Sequence, residues 1–171
     1  MANTNVFRGS DATITLAVAD AATPEGNIAN ATISFYQLSP VGRATGVEVY
    51  VHTDLQEYHE IGRRHPSQLH PGNIHISGKV TRAYINGALL ILLLGQGAAT
   101  ERSSTPFPQP SFNIQLQLQD PAVPGVSNTL TIHGVKFDNW ALALPEDDFV
   151  MESATFKALF VTVEDKQEQE A

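Results

Sequence analysis

The sequence predicts a mainly β fold, a β-sandwich or barrel of six to eight strands with one flanking α-helix, on three observations. Apolar and polar residues alternate with period two in several separate stretches, and clusters of Gly, Pro, Asn and Ser punctuate them. Only one stretch is rich enough in Ala and Leu to read as a long helix. With 171 residues, 42% of them hydrophobic and 16% charged, the chain suits one domain (1–171) around one sizeable core.

An N-terminal arm, 1–10, leads into the first alternation at 12–18, where Ala12, Ile14, Leu16 and Val18 oppose Thr13 and Thr15. Residues 31–38 set Ile33 and Phe35 against Thr32 and Ser34 and predict a second strand, with the residues from Thr23 to Asn27 as the turn before it. Val47, Val49 and Val51 alternate with Glu48, Tyr50 and His52, a third strand. From 52 to 72 the pattern breaks into a polar, proline-punctuated stretch that reads as a long loop.

Strand character returns at 73–77. Residues 80–94 predict the helix, closed by Gly95 as its cap and, being apolar all round at 88–94, buried on most sides. The three prolines of 96–110 predict an irregular loop. The cleanest alternation follows, with Phe112, Ile114, Leu116 and Leu118 on one face and Asn113, Gln115, Gln117 and Gln119 on the other. Strands are expected at 128–137 and 155–163, separated by a Trp140 segment and the acidic turn Pro145, Glu146, Asp147, Asp148. An acidic tail, 164–171, is expected to fray.

Composition excludes several functions. Eighteen acidic against ten basic residues, a formal charge of -8, oppose clamping DNA from outside or docking on an anionic membrane. Without cysteine there is no disulfide, thiolate nucleophile or cysteine-ligated metal. The longest apolar run is far below the roughly 20 residues that span a bilayer. Met1 to Asn5 carries neither the basic nor the apolar region of a secretory signal, so synthesis in the cytoplasm is expected.

His52, His59, His65, His70 and His75 crowd one segment but lack the i, i+4 spacing of a helical ligand pair. Glu146, Asp147, Asp148 and Glu152 lack the EF-hand spacing and read as a solvated turn. No nucleophile elbow occurs, and Gly95-Gln96-Gly97 lacks the rest of a dinucleotide fingerprint. No enzyme, catalytic residue, metal or cofactor is expected. Glu57 and Glu60 beside Arg63 and Arg64 form a mixed-charge set suited to docking a partner.

Several ordered segments resemble one family: Val6-Phe7-Arg8-Gly9 before the first strand, Ile74-His75-Ile76-Ser77-Gly78 before the helix and Gly95 ending it. Phe137-Asp138-Asn139-Trp140, the stretch from Leu144 to Glu152, and Phe156-Lys157-Ala158-Leu159 are similar to the late region of the same family. The chain, over most of its length, resembles bacteriophage tail tube proteins. The resemblance implies hexameric rings stacked head to tail into a virion tail tube that holds a tape-measure protein and then passes genomic DNA into the host. Implied partners are a baseplate or tail-tip initiator, a tail terminator and, in contractile tails, a sheath. It also gives the 52–72 loop a purpose as the inter-ring contact, through Leu55, Glu57, Tyr58, His59, Glu60, Arg63 and Arg64.

Three physical arguments agree. Ring closure pairs sheet edges that an isolated sandwich must protect. Low charge with abundant Gln, Asn and Thr suits surfaces buried between copies. A charge of -8 per chain lets a polyanion slide without sticking. Candidate lumen residues are the neutral ladder Asn113, Gln115, Gln117 and Gln119 or, on the third strand, Glu48; the other reading of both is an outer face met by sheath or solvent. Competing functions are a protein-passing tube of a secretion or injection system, a ligand-binding β-sandwich and, last, an enzyme. The ligand-binding reading lacks an aromatic platform, since the one Trp sits among Leu142 and Leu144.

Overall fold

A computed structural model of the chain describes residues 6–38, 40–98 and 106–166. In chain order the elements are β1 (Ala12–Val18), α1 (Pro24–Tyr36), β2 (Ala44–Tyr58), β3 (Gln68–Ala83), α2 (Ala88–Leu94), β4 (Phe112–Gln119), β5 (Ser127–Ala143), β6 (Met151–Ala158) and β7 (Phe160–Lys166). The seven strands make one antiparallel sheet in the order β1-β4-β5-β6-β3-β2, with β7 beside β5.

The sheet curls into a half-barrel because β5 is long enough to serve two limbs. Its first half, from Ser127 to Val135, pairs with β4 on one side and, through His133, with β7 on the other. Its second half, from Lys136, pairs with β6, which carries β3 and β2 beyond it. A bulge separates the halves: Phe112 pairs with Val135 and Ile114 with Ile132, leaving one extra residue on β5, where Gly134 takes φ +65°. Both limbs turn their apolar faces inward. Leu16, Ile114 and Ile132 of the first limb share a core with Ile76, Val80, Ala154 and Phe156 of the second. Ala29 and Ile33 of α1 and Leu89 and Leu92 of α2 complete it. Gly78 leaves room for the Phe156 ring, which any Cβ there would strike.

Four expectations are corrected. Residues 31–38 are not a strand, since 31–36 belong to α1, and the expected turn from Thr23 is the start of that helix. The Thr23 hydroxyl accepts from Gly26 N at 3.1 Å, Pro24 occupies the first turn, and burial of Gly26, Ala29, Thr32 and Ile33 follows the helical period. The expected helix 80–94 shrinks to α2. Val80 and Arg82 are buried and Thr81 and Ala83 half-buried, the alternation of a strand clamped between β2 and β6. The segment 52–72 is not a loop: β2 and β3 continue through it as a hairpin and only 59–67 turns. Finally 155–163 is two strands broken at Leu159, while the Trp140 segment is strand and belongs to β5.

Two strands and a cap stand as expected, whereas the start of the tail expected to fray is paired with β5. β1 and β4 span the expected residues, and Gly95 caps α2 with φ +60°. Of the expected acidic tail, Glu164, Asp165 and Lys166 lie in β7, and 167–171 fall outside the described residues, as do 1–5 of the arm and 99–105 of the Pro-rich loop. Within the described residues no helix is long and apolar enough to cross a membrane.

Candidate functional site

β3 finds β6 only from Ile76 to Ala83, so its first eight residues, Gln68 to His75, pair with β2 alone. That part of the hairpin stands off the body by roughly 25 Å. Residues 55–75 are all exposed. The hairpin is nevertheless built like a core element. Val47, Val49 and Val51 lie opposite Val80, Gly78 and Ile76 on the inward face. The same face continues outward past a bulge as Leu55, Leu69 and Ile74, which remain 59%, 56% and 65% exposed. An apolar stripe continuous with the core thus runs into solvent, which marks a surface to be covered.

The turn at the tip is tightly closed. Ser67 N donates to Tyr58 O at 2.9 Å, Arg63 N donates to Glu60 O at 3.1 Å, and Gly62 takes φ +83°. On the reverse face His52 and His75 flank Asp54, with Nε2 to carboxylate distances of 3.3 and 3.1 Å. Among the described residues no three His, Asp or Glu side chains are arranged to hold a metal ion.

Both limbs keep an open edge, since among the described residues no strand pairs with the outer side of β7 in the first limb. In the first limb the outer edge of β1 is already occupied, by a bridge from Thr15 to Pro40 and by Val41 N donating to Ile14 O at 2.9 Å. In the second limb, among the described residues, no strand pairs with the outer edge of β2, and none pairs with the β4 side of β5 beyond Val135. Such edges are templates for another chain.

Solved structures similar to this fold come from a contractile injection system, an anti-feeding prophage and a tail tube. A chain of the sheath–tube complex of the PVC extracellular contractile injection system, in its extended state, is 9% identical, with 94% of this chain and 93% of that one covered at a TM-score of 0.61. The chain has the tail-tube fold. A chain of the anti-feeding prophage baseplate is 11% identical, with 95% and 97% covered and a TM-score of 0.61. The SPP1 tail tube is 12% identical, with 96% and 81% covered and a TM-score of 0.55. No protein-family model matches the sequence, and no curated protein matches it.

On this tail-tube fold the residues expected at an inter-ring contact are brought together, although on a hairpin rather than a loop. Leu55 and Glu57 lie on the striped face, Tyr58 ends β2, and His59, Glu60, Arg63 and Arg64 form the turn. Arg63 Nε lies 3.5 Å from Glu60, and His59 Nε2 3.1 Å from Glu57. Both pairs are exposed and contribute little to stability.

The lumen candidates are not brought together. Asn113, Gln115, Gln117 and Gln119 lie on the coreless face of the first limb, beside Thr13, Thr15, Ser127, Thr129 and Thr131. Asn113 Oδ1 also accepts from Gly134 N at 3.1 Å, and Gln119 Nε2 donates to Pro124 O at 3.3 Å. Glu48 lies on the coreless face of the second limb, directly opposite Lys79 and accepting from Tyr50 OH at 2.8 Å. That hydrogen bond, helped by the Glu48 charge, raises the Tyr50 pKa above its usual 10.0.

Sequence reasoning missed a second exposed apolar group, at the foot of the second limb. Tyr84, Ile85, Leu142, Leu144 and Phe149 gather where Tyr84 N donates to Val150 O at 2.9 Å, and Leu144 and Phe149 are 72% and 80% exposed. Beneath it Arg82 and Glu152, each 1% exposed, form a buried ion pair. Glu152 also accepts from Trp140 Nε1 at 2.8 Å, and Arg82 Nη2 donates to Asn86 Oδ1 at 3.1 Å. The available signal was Leu144 and Phe149 on either side of an acidic turn, too apolar for a purely solvated loop.

Proposed function

We propose that this chain is the repeating subunit of a tail tube, in which hexameric rings stack head to tail around a channel. The observation that carries this reading is the apolar stripe of the β2–β3 hairpin, Leu55, Leu69 and Ile74, which continues the core face beyond the body and has no cover among the described residues. The edges supply the ring. With β2 and, beyond Phe137, whose carbonyl accepts from Gln109 Nε2, the second half of β5 left unpaired by any strand on that side among the described residues, the second limb of one copy can join that of the next, and repetition around an axis closes a barrel.

Joined this way, the coreless face of the second limb lines the channel, with Glu48, Tyr50, Ser77, Lys79, Thr155 and Lys157, and the Gln115 and Gln117 face turns outward. Of the two sequence candidates, Glu48 is then the lumen residue. The passenger is DNA, on the acidic balance of the whole chain. The subunit then belongs to a virion tail, with a tape-measure protein inside it, an initiator and a terminator at its ends and, in a contractile tail, a sheath.

A second reading, an injection-system tube that passes proteins, is favoured by the wall itself. Lys79, Lys136 and Lys157 there outnumber Glu48 and Asp138, so this part of the channel surface is not acidic.

Negative-stain electron microscopy of the purified protein across a concentration series tests the tube. Rings or tubes with sixfold end views are expected, and a monomer at every concentration, with or without a preformed tube end, overturns the reading. Nuclease-protected DNA in particles from producing cells separates the DNA conduit from the protein conduit.

A further inference from the structure

Resting on the tube reading, we infer that the hairpin tip of one copy, around Ile61 and Arg64, seats on the foot of a second copy, around Leu144, Phe149 and the carboxylates of Asp147 and Asp148. One strand carries both surfaces. β3 begins at Gln68, beside the tip, and ends at Ala83, where Tyr84 N is bonded to Val150 O at the foot. Sixteen residues of strand separate the two by roughly 50 Å, so a chain cannot reach its own foot with its own tip. Each surface is therefore left to another molecule, and the match between the two makes that molecule a second copy. A contact between two different patches of one molecule propagates as an open stack when it does not close.

The surfaces match in polarity and in sign. Ile61 stands fully exposed on the tip, above Leu55 and Tyr58, while the foot offers Ile85, Leu144 and Phe149 at 55%, 72% and 80% exposure. The turn 59–67 carries Arg63, Arg64 and Glu60, a net charge of about +1 with histidine neutral, whereas 144–149 carries Glu146, Asp147 and Asp148 and no base. In a chain with ten basic residues among 171, two adjacent arginines at the opposite end of β3 from an acidic turn form a complementary pair of ends. Both are stiff. The tip is closed by the Ser67 to Tyr58 bond, and the foot stands on the buried Arg82–Glu152 pair, whose Asn86 partner fixes the connection into α2.

Charge reversal tests the match. Arg64→Glu leaves the Arg63–Glu60 pair intact and is expected to yield rings that stack poorly, with tubes at least several-fold shorter than wild type. Asp147→Lys/Asp148→Lys is expected to do the same from the other side. The chain carrying all three substitutions restores the sign match and is expected to recover tube length at least in part. Unfolding midpoints by circular dichroism select variants that fold like wild type. Tubes of normal length from either one-sided variant overturn the docking and leave the tube reading intact, as does a triple variant that folds normally and recovers nothing. Wild-type protein that forms no ring or tube overturns the tube reading itself.

Discussion

Leu159 fills the space beside Gly134 that a Cβ on that glycine would need, with its Cδ1 2.5 Å and its Cβ 3.2 Å from that position. The two residues mark where both long strands pass between limbs, β5 by its bulge and the β6–β7 pair by its break, and Leu159 N donates to His133 O at 2.9 Å across them. Gly134→Ala adds a clash to the strain of φ +65° and is expected to cost about 1–3 kcal/mol, read as a lower urea midpoint. Removing the clash with Leu159→Ala leaves the left-handed backbone, so the double variant should still fall about 1–2 kcal/mol below Leu159→Ala alone. An unchanged midpoint in Gly134→Ala contradicts this account of the corner.

Arg82 and Glu152 lie on adjacent core-facing strands, and neither has water to fall back on. Glu152→Leu strands a buried guanidinium and is expected to cost about 3–5 kcal/mol, whereas Arg82→Met/Glu152→Leu removes both charges and should lose much less. Trp140, the only tryptophan, loses its acceptor in both variants, so its emission reports the local change while urea unfolding reports the energy. Equal losses in the single and double variants would mean that packing, not charge, dominates at this site.

The sequence is legible where one face of a strand is buried and the other wet. β1 and β4 satisfy this from end to end, because Ile14, Leu16, Phe112 and Ile114 meet the core while threonines and glutamines do not. The outer hairpin is not legible. Past Thr53 neither face of β2 is buried in the single chain, so Gln56, His59 and His70 look like loop residues. In α1 the run Thr32, Ile33, Ser34, Phe35 fits a period of two as well as one of 3.6, and Thr23 followed by Pro24 was the deciding signal. Arg82 reads as the polar face of a helix until its partner, Glu152, seventy residues away, makes it a core residue. The tail-tube fold came through because the resemblance rests on ordered segments spread along the chain. Which coreless face meets a channel did not, since alternation distinguishes two faces without saying what lies beyond them.

The stripe on the hairpin should be silent for folding and decisive for assembly. Leu55 and Leu69 are more than half exposed, so Leu55→Ser/Leu69→Ser is expected to change monomer stability by less than about 1 kcal/mol. On the proposed tube, where another copy covers that face, assembly should be lost or shifted to much higher protein concentration. Urea unfolding and negative-stain microscopy of the same preparation give both answers, and tubes at wild-type concentration would remove the stripe from the interface.

The absence of cysteine makes the channel wall directly testable. Ser77 lies on the coreless face of the second limb, opposite Tyr50, and Gln117 on that of the first limb, opposite Thr13 and Thr129. In purified tubes free of sheath, a maleimide on a polymer too bulky to enter a channel should modify Gln117→Cys and spare Ser77→Cys. After dissociation in urea both should react, which separates protection by assembly from an unreactive thiol. Because each ring repeats the wall, protection of Ser77→Cys should deepen as tubes lengthen and open ends become a smaller share of the subunits. The reverse pattern, with Gln117→Cys spared and Ser77→Cys modified, would put the glutamine ladder on the wall and turn Glu48 to the outside.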